Sequence, residues 1–481
     1  MNRPLRHVAI AVLVLFTALL VNSNIVQVGE ASSLRANPHN VRVLYGEYKD
    51  KRGPIVAGST EVAKSVATHD SLKYLRTYPG AAAYAPITGF YSLVYGASGI
   101  EQAEDQVLAG TSDNLFLKRL SDEITGRTPQ GGSVQLTVNP KAQQVAYQAL
   151  AHSGHPGAAV ALNPTTGAVL ALASYPSFDP SVISTHNSQA DTQAYKQLLA
   201  QSSSPLLDRA LNQTYPPGST FKVITTSAAL SSGKYSPSSV IPAPSQLRFA
   251  DTTHTLSNFQ GEECPGGGSI TLAEALKVSC NTAYGGLGVK LGTAAIAAQA
   301  KAFGFGRAVT TPLVSSPSRY VETSDPPLLA DSAIGQYSDA VTPLQMAMVA
   351  AGIANGGVVM RPYLVAQTRA PDTSVLSTTK PQQFSRAVSP AVATQLTSMM
   401  EGVVQPGGTG TAASIPGIAV AAKTGTAENT PGQTTHAWFI AFAPANAPKV
   451  AVAVLVEHGG VGGSAAAPIA RQVMCAVLGC S

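Results

Sequence analysis

A single apolar run near the amino terminus constrains this chain more than any other feature. Arg3 and Arg6 precede an apolar stretch from Val8 to Val21, which Asn22-Ser23-Asn24 interrupts. The stretch is short for a membrane-spanning helix, which needs about 20 apolar residues, and it fits the apolar part of a signal peptide. Two interpretations of residues 1–26 therefore stay open: a cleaved signal and a retained membrane anchor.

The rest of the chain is expected to fold in water. No later segment is long and apolar enough to span a membrane, and Arg3 and Arg6 would keep the amino terminus in the cytoplasm. If the run is retained, we expect a single-pass protein of the cell membrane whose bulk is extracellular or periplasmic. The 481 residues are too many for one core, so two or more domains are expected. The net charge of +5 comes without a dense Lys/Arg cluster, which excludes nucleic acid as a partner.

The pattern along the chain indicates an α+β fold in two parts. Residues 27–152 mix turn-rich stretches with one strand and one helix, whereas residues 153–481 begin with a hairpin and end with strands. Strands at both ends of the second part, with a helical middle at roughly 221–355, favour a central antiparallel sheet flanked by helices. The predicted strands are 133–138, 157–162, 168–173, 417–422, 437–443 and 449–457, and the predicted helices outside the middle are 141–151 and 465–478.

Ser219-Thr220-Phe221-Lys222 places a hydroxyl and an amine three positions apart. Residues at this spacing share one face of a helix, and a serine becomes a useful nucleophile when a neutral amine lies within reach. Ser231-Ser232-Gly233-Lys234 and Ser377-Thr378-Thr379-Lys380 match the same pattern. The first of these lies where a helix should stop, and the second in a polar stretch that predicts a surface loop. Context therefore selects Ser219, which follows a Pro-Pro-Gly turn and opens an apolar helix.

A second motif, Ser279-Cys280-Asn281, lies between two predicted helices. The capping-box pattern Thr271-Leu272-Ala273-Glu274 begins the first helix, and the second is expected from Thr282 to Leu291. A serine hydroxyl can relay a proton, and an asparagine amide both donates and accepts hydrogen bonds. Ser112-Asp113-Asn114 has the same outline but precedes the nucleophile in the chain.

A third motif, Lys423-Thr424-Gly425-Thr426, follows an apolar strand at 418–422. A polar edge strand of this kind can bind a peptide by strand addition, and Gly425 lets another backbone approach closely. Lys423 and the two threonines could hold a carboxylate.

The four cysteines are Cys264, Cys280, Cys475 and Cys480, and their spacing does not predict a zinc site. In an exported protein disulfides are expected. Three pairings are formally available. Cys264 with Cys280 and Cys475 with Cys480 are the candidates, and free buried thiols remain the alternative.

Taken in this order, the three motifs resemble those of the penicillin-binding proteins and serine β-lactamases. Tyr-Pro-Pro-Gly-Ser-Thr-Phe-Lys at 215–222, Asn163-Pro164-Thr165-Thr166-Gly167 and Thr342-Pro343-Leu344-Gln345 are more similar to the penicillin-binding proteins. Arg52-Gly53 and Tyr78-Pro79 resemble the pedestal of the monofunctional class B group, and the type is that of penicillin-binding protein A. The resemblance covers most of the chain. Cys280 is unusual as the middle residue of its motif.

The resemblance implies acyl transfer on peptidoglycan. Ser219 would attack the D-Ala-D-Ala peptide bond of one stem peptide, with Lys222 as the base. Ser279, with Lys423 nearby, would pass a proton to the leaving D-Ala, and Asn281 would hold Lys222 and the substrate. An amine of a second stem peptide would then accept the acyl group, while β-lactams would trap it.

It also implies the binding residues, the domains and the partners. Thr424, Gly425 and Thr426 would bind the substrate, and the N–H groups of Ser219 and Thr426 would form the oxyanion hole. The domains would be an anchor or signal at 1–26, a pedestal or dimerisation-type domain at 27–152 and a transpeptidase domain at 153–481. No metal or organic cofactor is implied. The expected partners are stem peptides, β-lactams, the membrane through the amino terminus, and proteins of cell division or elongation.

Other functions remain as alternatives. The acyl-enzyme could be hydrolysed, as in a D,D-carboxypeptidase or a β-lactamase, although Glu428 is interpreted as a solvated turn residue rather than a deacylation base. A non-catalytic β-lactam sensor or scaffold is the other alternative. Trp438 is predicted to be a packed strand residue, His436 to end a hairpin and Tyr284 to lie in the core.

Overall fold

The computed structural model describes residues 3–30, 33–34, 46, 48–115, 130–250, 252–429 and 432–480. At the amino terminus the α-helix Arg3–Asn24 continues as the π-helical turn Ile25–Gly29, and neither contains a buried residue. The resulting 27-residue segment is long and apolar enough to cross a membrane. It is longer than the apolar run alone because Asn22-Ser23-Asn24 continues the helix instead of interrupting it.

The remaining helices of the described residues are distributed along the chain. The α-helices are Ala81–Thr88, Gly99–Ala103, Asp105–Leu108, Pro140–His152, Ser188–Ala200, Lys222–Ser231, Leu272–Lys277, Asn281–Leu291, Thr293–Ala302, Pro326–Ala333, Pro343–Ala354, Pro390–Gly402 and Gly462–Leu478. The 3-10 helices are Asp113–Leu115, Pro180–Ile183, Gly218–Phe221, Phe259–Gly261 and Thr411–Ala413. Short two-stranded ribbons pair Tyr91–Ser92 with Gly96–Ala97, Val240–Ala243 with Gly268–Thr271, Gln246–Arg248 with Thr255–Ser257, and Val358–Met360 with Gln383–Arg386.

A five-stranded antiparallel sheet is the centre of the second part, which confirms the α+β prediction. Its strands, in spatial order, are Ala421–Ala427, His436–Ala443, Val450–Val456, Gly157–Leu162 and Val169–Tyr175. One face, rich in alanine, packs against the helices Pro140–His152 and Gly462–Leu478. The other face carries Trp438, Ile440 and Phe442 and packs against Pro343–Ala354. Because helices cover both faces, the inner strands Val450–Val456 and Gly157–Leu162 are apolar along their whole length.

The first strand of this sheet begins later than predicted. Gly417 has a φ of +74°, and the N–H of Ile418 donates to the carbonyl of Ile415 at 3.1 Å. The segment predicted as a strand at 417–422 therefore starts as a tight turn. The strand begins at Ala421 and runs through the Lys-Thr-Gly-Thr motif to Ala427.

A six-stranded sheet lies beside it and combines segments that are distant in sequence. Its strands, in spatial order, are Val375–Thr378, Val365–Arg369, Ser133–Leu136, Ile55–Ala57, Thr60–Ala67 and Tyr74–Thr77. Ser377 therefore lies on an edge strand and not in the loop that was predicted, and its hydroxyl lies 2.8 Å from that of Thr368. The predicted helical middle was also wrong at 240–271, which forms two of the ribbons.

Buried charges connect distant segments of residues 48–136, the part of the structure called the pedestal below. Glu101 is completely buried and accepts hydrogen bonds from Arg52 Nε at 2.7 Å and from Arg76 Nε at 2.6 Å. The hydroxyl of Tyr78 also lies 3.4 Å from this carboxylate. The two motifs that resembled a class B pedestal, at 52 and 78, thus meet at one carboxylate that the sequence analysis did not identify.

Candidate active site

Ser219 lies on a 3-10 turn that leads directly into the helix beginning at Lys222. Gly218 takes a φ of +52°, which glycine adopts without strain, and its N–H donates to the carbonyl of Gly335 at 2.9 Å. The hydroxyl of Thr220 donates to the carbonyl of Pro217 at 2.6 Å, and Trp438 Nε1 donates to the carbonyl of Pro216 at 2.9 Å. These bonds hold the half-buried Ser219 on a rigid turn.

Lys222 is fully buried, and its amine lies within hydrogen-bond distance of three oxygens of the second motif. These are the carbonyl of Ser279 at 2.6 Å, the Ser279 hydroxyl at 3.2 Å and Asn281 Oδ1 at 2.6 Å. Burial, and then the charge of Lys423, lower the pKa of Lys222 well below its ordinary value. A neutral amine in this position can accept a proton.

Ser279 connects the two lysines of the site. Its φ is +63°, an unfavourable conformation for a residue with a side chain. Its hydroxyl also accepts from Lys423 Nζ at 2.8 Å. Lys423 is fully buried, and burial lowers its pKa to about 7. One hydroxyl therefore bridges two buried amines, and burial lowers the pKa of both.

The third motif forms an edge strand, as expected. Within the described residues Ala421–Ala427 pairs on one side only, with His436–Ala443. Thr424 is buried and its hydroxyl lies 2.7 Å from that of Thr409, whereas Thr426 is partly exposed. The free side of this strand can accept an extended peptide.

Gly425 also lies against other parts of the chain itself. A Cβ atom there would lie 2.9 Å from Thr220 Cγ2, 2.8 Å from Trp438 Cβ and 3.2 Å from the carbonyl of Pro217. Because Gly425 has no side chain, the turn that carries Ser219, called the nucleophile turn below, can pack closely against this strand. Any side chain at 425 would push that turn away from the strand.

Two residues outside the motifs also hold the site. Asn258 Oδ1 accepts from the N–H of Asn281 at 2.8 Å, and Thr409 contacts Thr424 as described above. Asn258 lies in a polar stretch that carries no motif. Thr409 follows two glycines that indicate only a turn. Neither residue has a local signal that sequence reasoning could have used.

The structure contains both candidate disulfides. Cys264 and Cys280 are bonded with a Cα–Cα distance of 5.9 Å, which ties the loop at 264 to the middle residue of the second motif. Cys475 and Cys480 form the other bond at the end of the last helix.

The remaining candidates have the predicted roles. Trp438 is fully buried in its strand, and His436 is the first residue of that strand. Tyr284 is buried, with its hydroxyl 2.6 Å from that of Thr226 and its ring centroid 5.5 Å from Lys222 Nζ. Glu428 is exposed just after the edge strand. The other two Ser-x-x-Lys matches lie at the end of the helix Lys222–Ser231 and on the strand Val375–Thr378.

Comparison with known proteins agrees with this geometry. Residues 157–475 match the penicillin binding protein transpeptidase domain, and residues 52–134 match the penicillin binding protein A dimerisation domain. The chain is 48 % identical over 494 residues to the peptidoglycan D,D-transpeptidase PbpA of Mycolicibacterium smegmatis, with 99 % of each chain covered.

Solved structures of penicillin-binding protein A from M. tuberculosis are similar over most of the chain. Its ceftriaxone acyl-enzyme complex has a TM-score of 0.87 at 44 % identity and covers 90 % of this chain and 100 % of that one. Its penicillin G acyl-enzyme complex has a TM-score of 0.86 at 45 % identity and covers 89 % and 100 %. The resemblance inferred from the motifs is confirmed: this chain belongs to the class B penicillin-binding proteins, of the penicillin-binding protein A type.

Proposed function

We infer that this chain is a peptidoglycan D,D-transpeptidase that works through an acyl-enzyme on Ser219. The observation that carries the inference is the pair of buried amines, Lys222 and Lys423, which share the Ser279 hydroxyl. Lys222 directly follows the turn that carries Ser219. Lowered lysine pKa values are what general-base chemistry on a serine requires.

In the first step the Ser219 oxygen bonds to the carbonyl carbon of the penultimate D-Ala, and its proton passes to the neutral Lys222 amine. The N–H groups of Ser219 and Thr426 would stabilise the oxyanion, and loss of one such donor typically costs about 10²–10³ in rate. The C–N bond to the terminal D-Ala then breaks, and its nitrogen takes a proton through the Ser279 hydroxyl. Lys423 and Asn281 keep that hydroxyl and Lys222 in place.

In the second step an amine of another stem peptide attacks the acyl carbon. The new amide bond forms, the bond to Ser219 breaks, and the serine regains its proton. We place the donor peptide along the free edge of the strand Ala421–Ala427. There Thr424 and Thr426 would bind its terminal carboxylate, and Gly425 would keep the nucleophile turn against the strand.

The same inference extends to the whole chain. Residues 1–26 would anchor the protein with its amino terminus in the cytoplasm, which agrees with a helix long enough to cross a membrane. Residues 27–152 would form the pedestal or dimerisation-type domain, and residues 153–481 the transpeptidase domain. This arrangement would place the catalytic domain outside the membrane, next to the proteins that direct division or elongation.

Hydrolysis of the acyl-enzyme is the second candidate outcome. The exposed position of Glu428, after the edge strand, speaks against a built-in base for deacylation. A donor peptide ending in D-Ala-D-Ala, incubated with and without an acceptor amine, distinguishes the outcomes. A transpeptidase gives an amide product that requires the acceptor, a carboxypeptidase gives only free acid, and a sensor or scaffold gives neither.

The nucleophile is tested with a fluorescent penicillin. Ser219→Ala should abolish covalent labelling of the folded protein, whereas Ser231→Ala, in the competing match at the end of the same helix, should label like the wild type. Covalent labelling of Ser219→Ala would show that another residue is the nucleophile.

A further inference from the structure

The helix Asn281–Leu291 begins at the catalytic centre without a cap of its own. The first N–H groups of a helix have no partners within it, and the preceding Cys280 makes no side-chain cap. Asn258, from a distant segment, supplies the acceptor. Its Oδ1 accepts from the N–H of Asn281 at 2.8 Å and from that of Thr282 at 3.1 Å. Only 9 % of Asn258 is exposed, so water has little access to replace it.

The same segment holds the side chain of Asn281. The carbonyl of Ser257 accepts from Asn281 Nδ2 at 3.3 Å, and Asn281 Oδ1 accepts from Lys222 Nζ at 2.6 Å. Residues 257 and 258 thus hold Asn281 by both its backbone and its amide. A displacement of Asn281 would move the acceptor towards which the Lys222 amine points.

The neighbouring backbone needs such support. Ser279, with its φ of +63°, is in a conformation that persists only where the surroundings hold it. Lys222 donates to the carbonyl of this residue as well as to its hydroxyl. The position of the amine therefore depends on the whole turn from Ser279 to Asn281.

We propose that Asn258 is a positioning residue for acylation: by capping the helix at Asn281 it fixes the turn that holds the amine of Lys222, the base proposed for Ser219. The proposal deepens the function inferred above and rests on the roles given there to Ser219 and Lys222. Asn258 acts through Asn281 and Lys222, not on the substrate.

Asn258→Ala removes the shared acceptor. In the full-length protein the acylation rate constant for a fluorescent penicillin, per titrated active site, should fall about 10- to 100-fold, because a misplacement near 1 Å can cost about 10²-fold. Acylation at the wild-type rate constant would overturn the proposal.

Asn187→Ala is the matched control. Asn187 Oδ1 accepts from the N–H groups of Gln189 and Ala190, both at 3.1 Å, at the start of the helix Ser188–Ala200. This change also removes a cap, so Tm should fall, but the acylation rate constant should stay that of the wild type. An equal fall in the rate constants of both variants would show a general effect of lost stability and would overturn the proposal.

Asn258→Asp restores the acceptor and adds a negative charge close to Lys222. The charge favours the protonated amine, so the rise of the acylation rate constant with pH should move to higher pH, with near wild-type rates above it. The titratable groups described around Lys222 are Lys423 on the edge strand and Tyr284 on the capped helix, and both are unchanged in this variant.

The aspartate variant tests the positioning role of Asn258 even if the alanine variant does not fold. An unchanged pH profile, or slow acylation at every pH, would overturn the proposal. Labelling of Ser219→Ala, measured alongside, identifies the other failure: a labelled Ser219→Ala refutes the proposed nucleophile and not the role of Asn258.

Discussion

Among the buried basic side chains of the described residues, two pairs differ in how their charge is compensated. In the pedestal Arg52 and Arg76 both bind the carboxylate of Glu101. At the active site the hydrogen bonds described for Lys222 and Lys423 go to hydroxyl, amide and carbonyl oxygens. Both pairs are buried, but of the two only the arginine pair has a buried counter-charge among the described residues.

This difference separates a structural cluster from a reactive one. Burial alone would raise the pKa of Glu101, but Arg76 and Arg52 lower it below its ordinary value, which favours the charged carboxylate. At the active site burial lowers the pKa of Lys423 to about 7, and nothing described there restores the charge. The buried amines of the active site thus lower the stability of the fold, and their lowered pKa values make a change of protonation state easier.

Lys222→Met should have the largest effect, because it removes the proposed base. Loss of general-base catalysis typically costs about 10²–10⁴ in rate, so the acylation rate constant for a fluorescent penicillin should fall by that factor. Stability should hold or rise, because an apolar side chain of similar length replaces a buried amine. Acylation within 10-fold of the wild type, an approximate threshold set by the low end of that range, would contradict the comparison.

Glu101→Gln should give the opposite result. It leaves two buried guanidinium groups without their carboxylate, and breaking a buried ion pair in this way costs about 3–5 kcal/mol. Urea unfolding should show this loss, while acylation per titrated active site stays unchanged. A loss of unfolding free energy below about 1 kcal/mol is typical of surface salt bridges, and it would contradict a structural role for the buried ion pairs of Glu101.

The two clusters should also respond to different pH ranges. Native Lys423, with a pKa of about 7, binds fewer protons than the unfolded lysine, with its ordinary value of 10.5, so its contribution to stability rises with pH between these values. The Lys423→Met variant should lack this rise in unfolding free energy.

The contribution of Glu101, whose native pKa is lowered, is present above the ordinary carboxylate range and is lost as pH falls through the native pKa. Glu101→Gln should remove this acid-sensitive part. Identical curves of stability against pH for either variant and the wild type would refute the corresponding assignment.

Thr409→Val should have the smallest effect. It removes the hydroxyl that contacts Thr424, and one neutral hydrogen bond contributes about 0.5–1.5 kcal/mol, so the acylation rate constant should fall about 2- to 12-fold. Thr397→Val is the control, because the hydrogen bond described for that hydroxyl goes to the carbonyl of Ala393 within its own helix. Equal acylation rate constants for the two variants would show that the Thr409 hydroxyl does not contribute to acylation.

What could be predicted from sequence follows from how local each signal is. Runs of consecutive apolar residues predict the strands of the five-stranded sheet, and the consecutive residues Pro-Pro-Gly predict the turn before Ser219. The start of the strand at Ala421 was missed, because the turn at Gly417 interrupts an apolar run that has no other break.

The residues that complete the two clusters could not be predicted. Glu101, Asn258 and Thr409 act on partners 15 to 49 positions away in the chain, and nothing in their immediate neighbourhoods marks them. Gly425 was recognised as a site of close approach, but only the folded chain shows that its neighbour is Thr220.

The six-stranded sheet has a consequence for the order in which parts of the protein can fold during synthesis. Ser133–Leu136 lies between Ile55–Ala57 and Val365–Arg369, so one of its edges is unpaired until residue 365 has emerged during synthesis. For more than two hundred residues of growth the pedestal carries an open strand edge, the kind of surface that pairs with other chains. The amino-terminal part can therefore complete its fold only after most of the catalytic part has been synthesised.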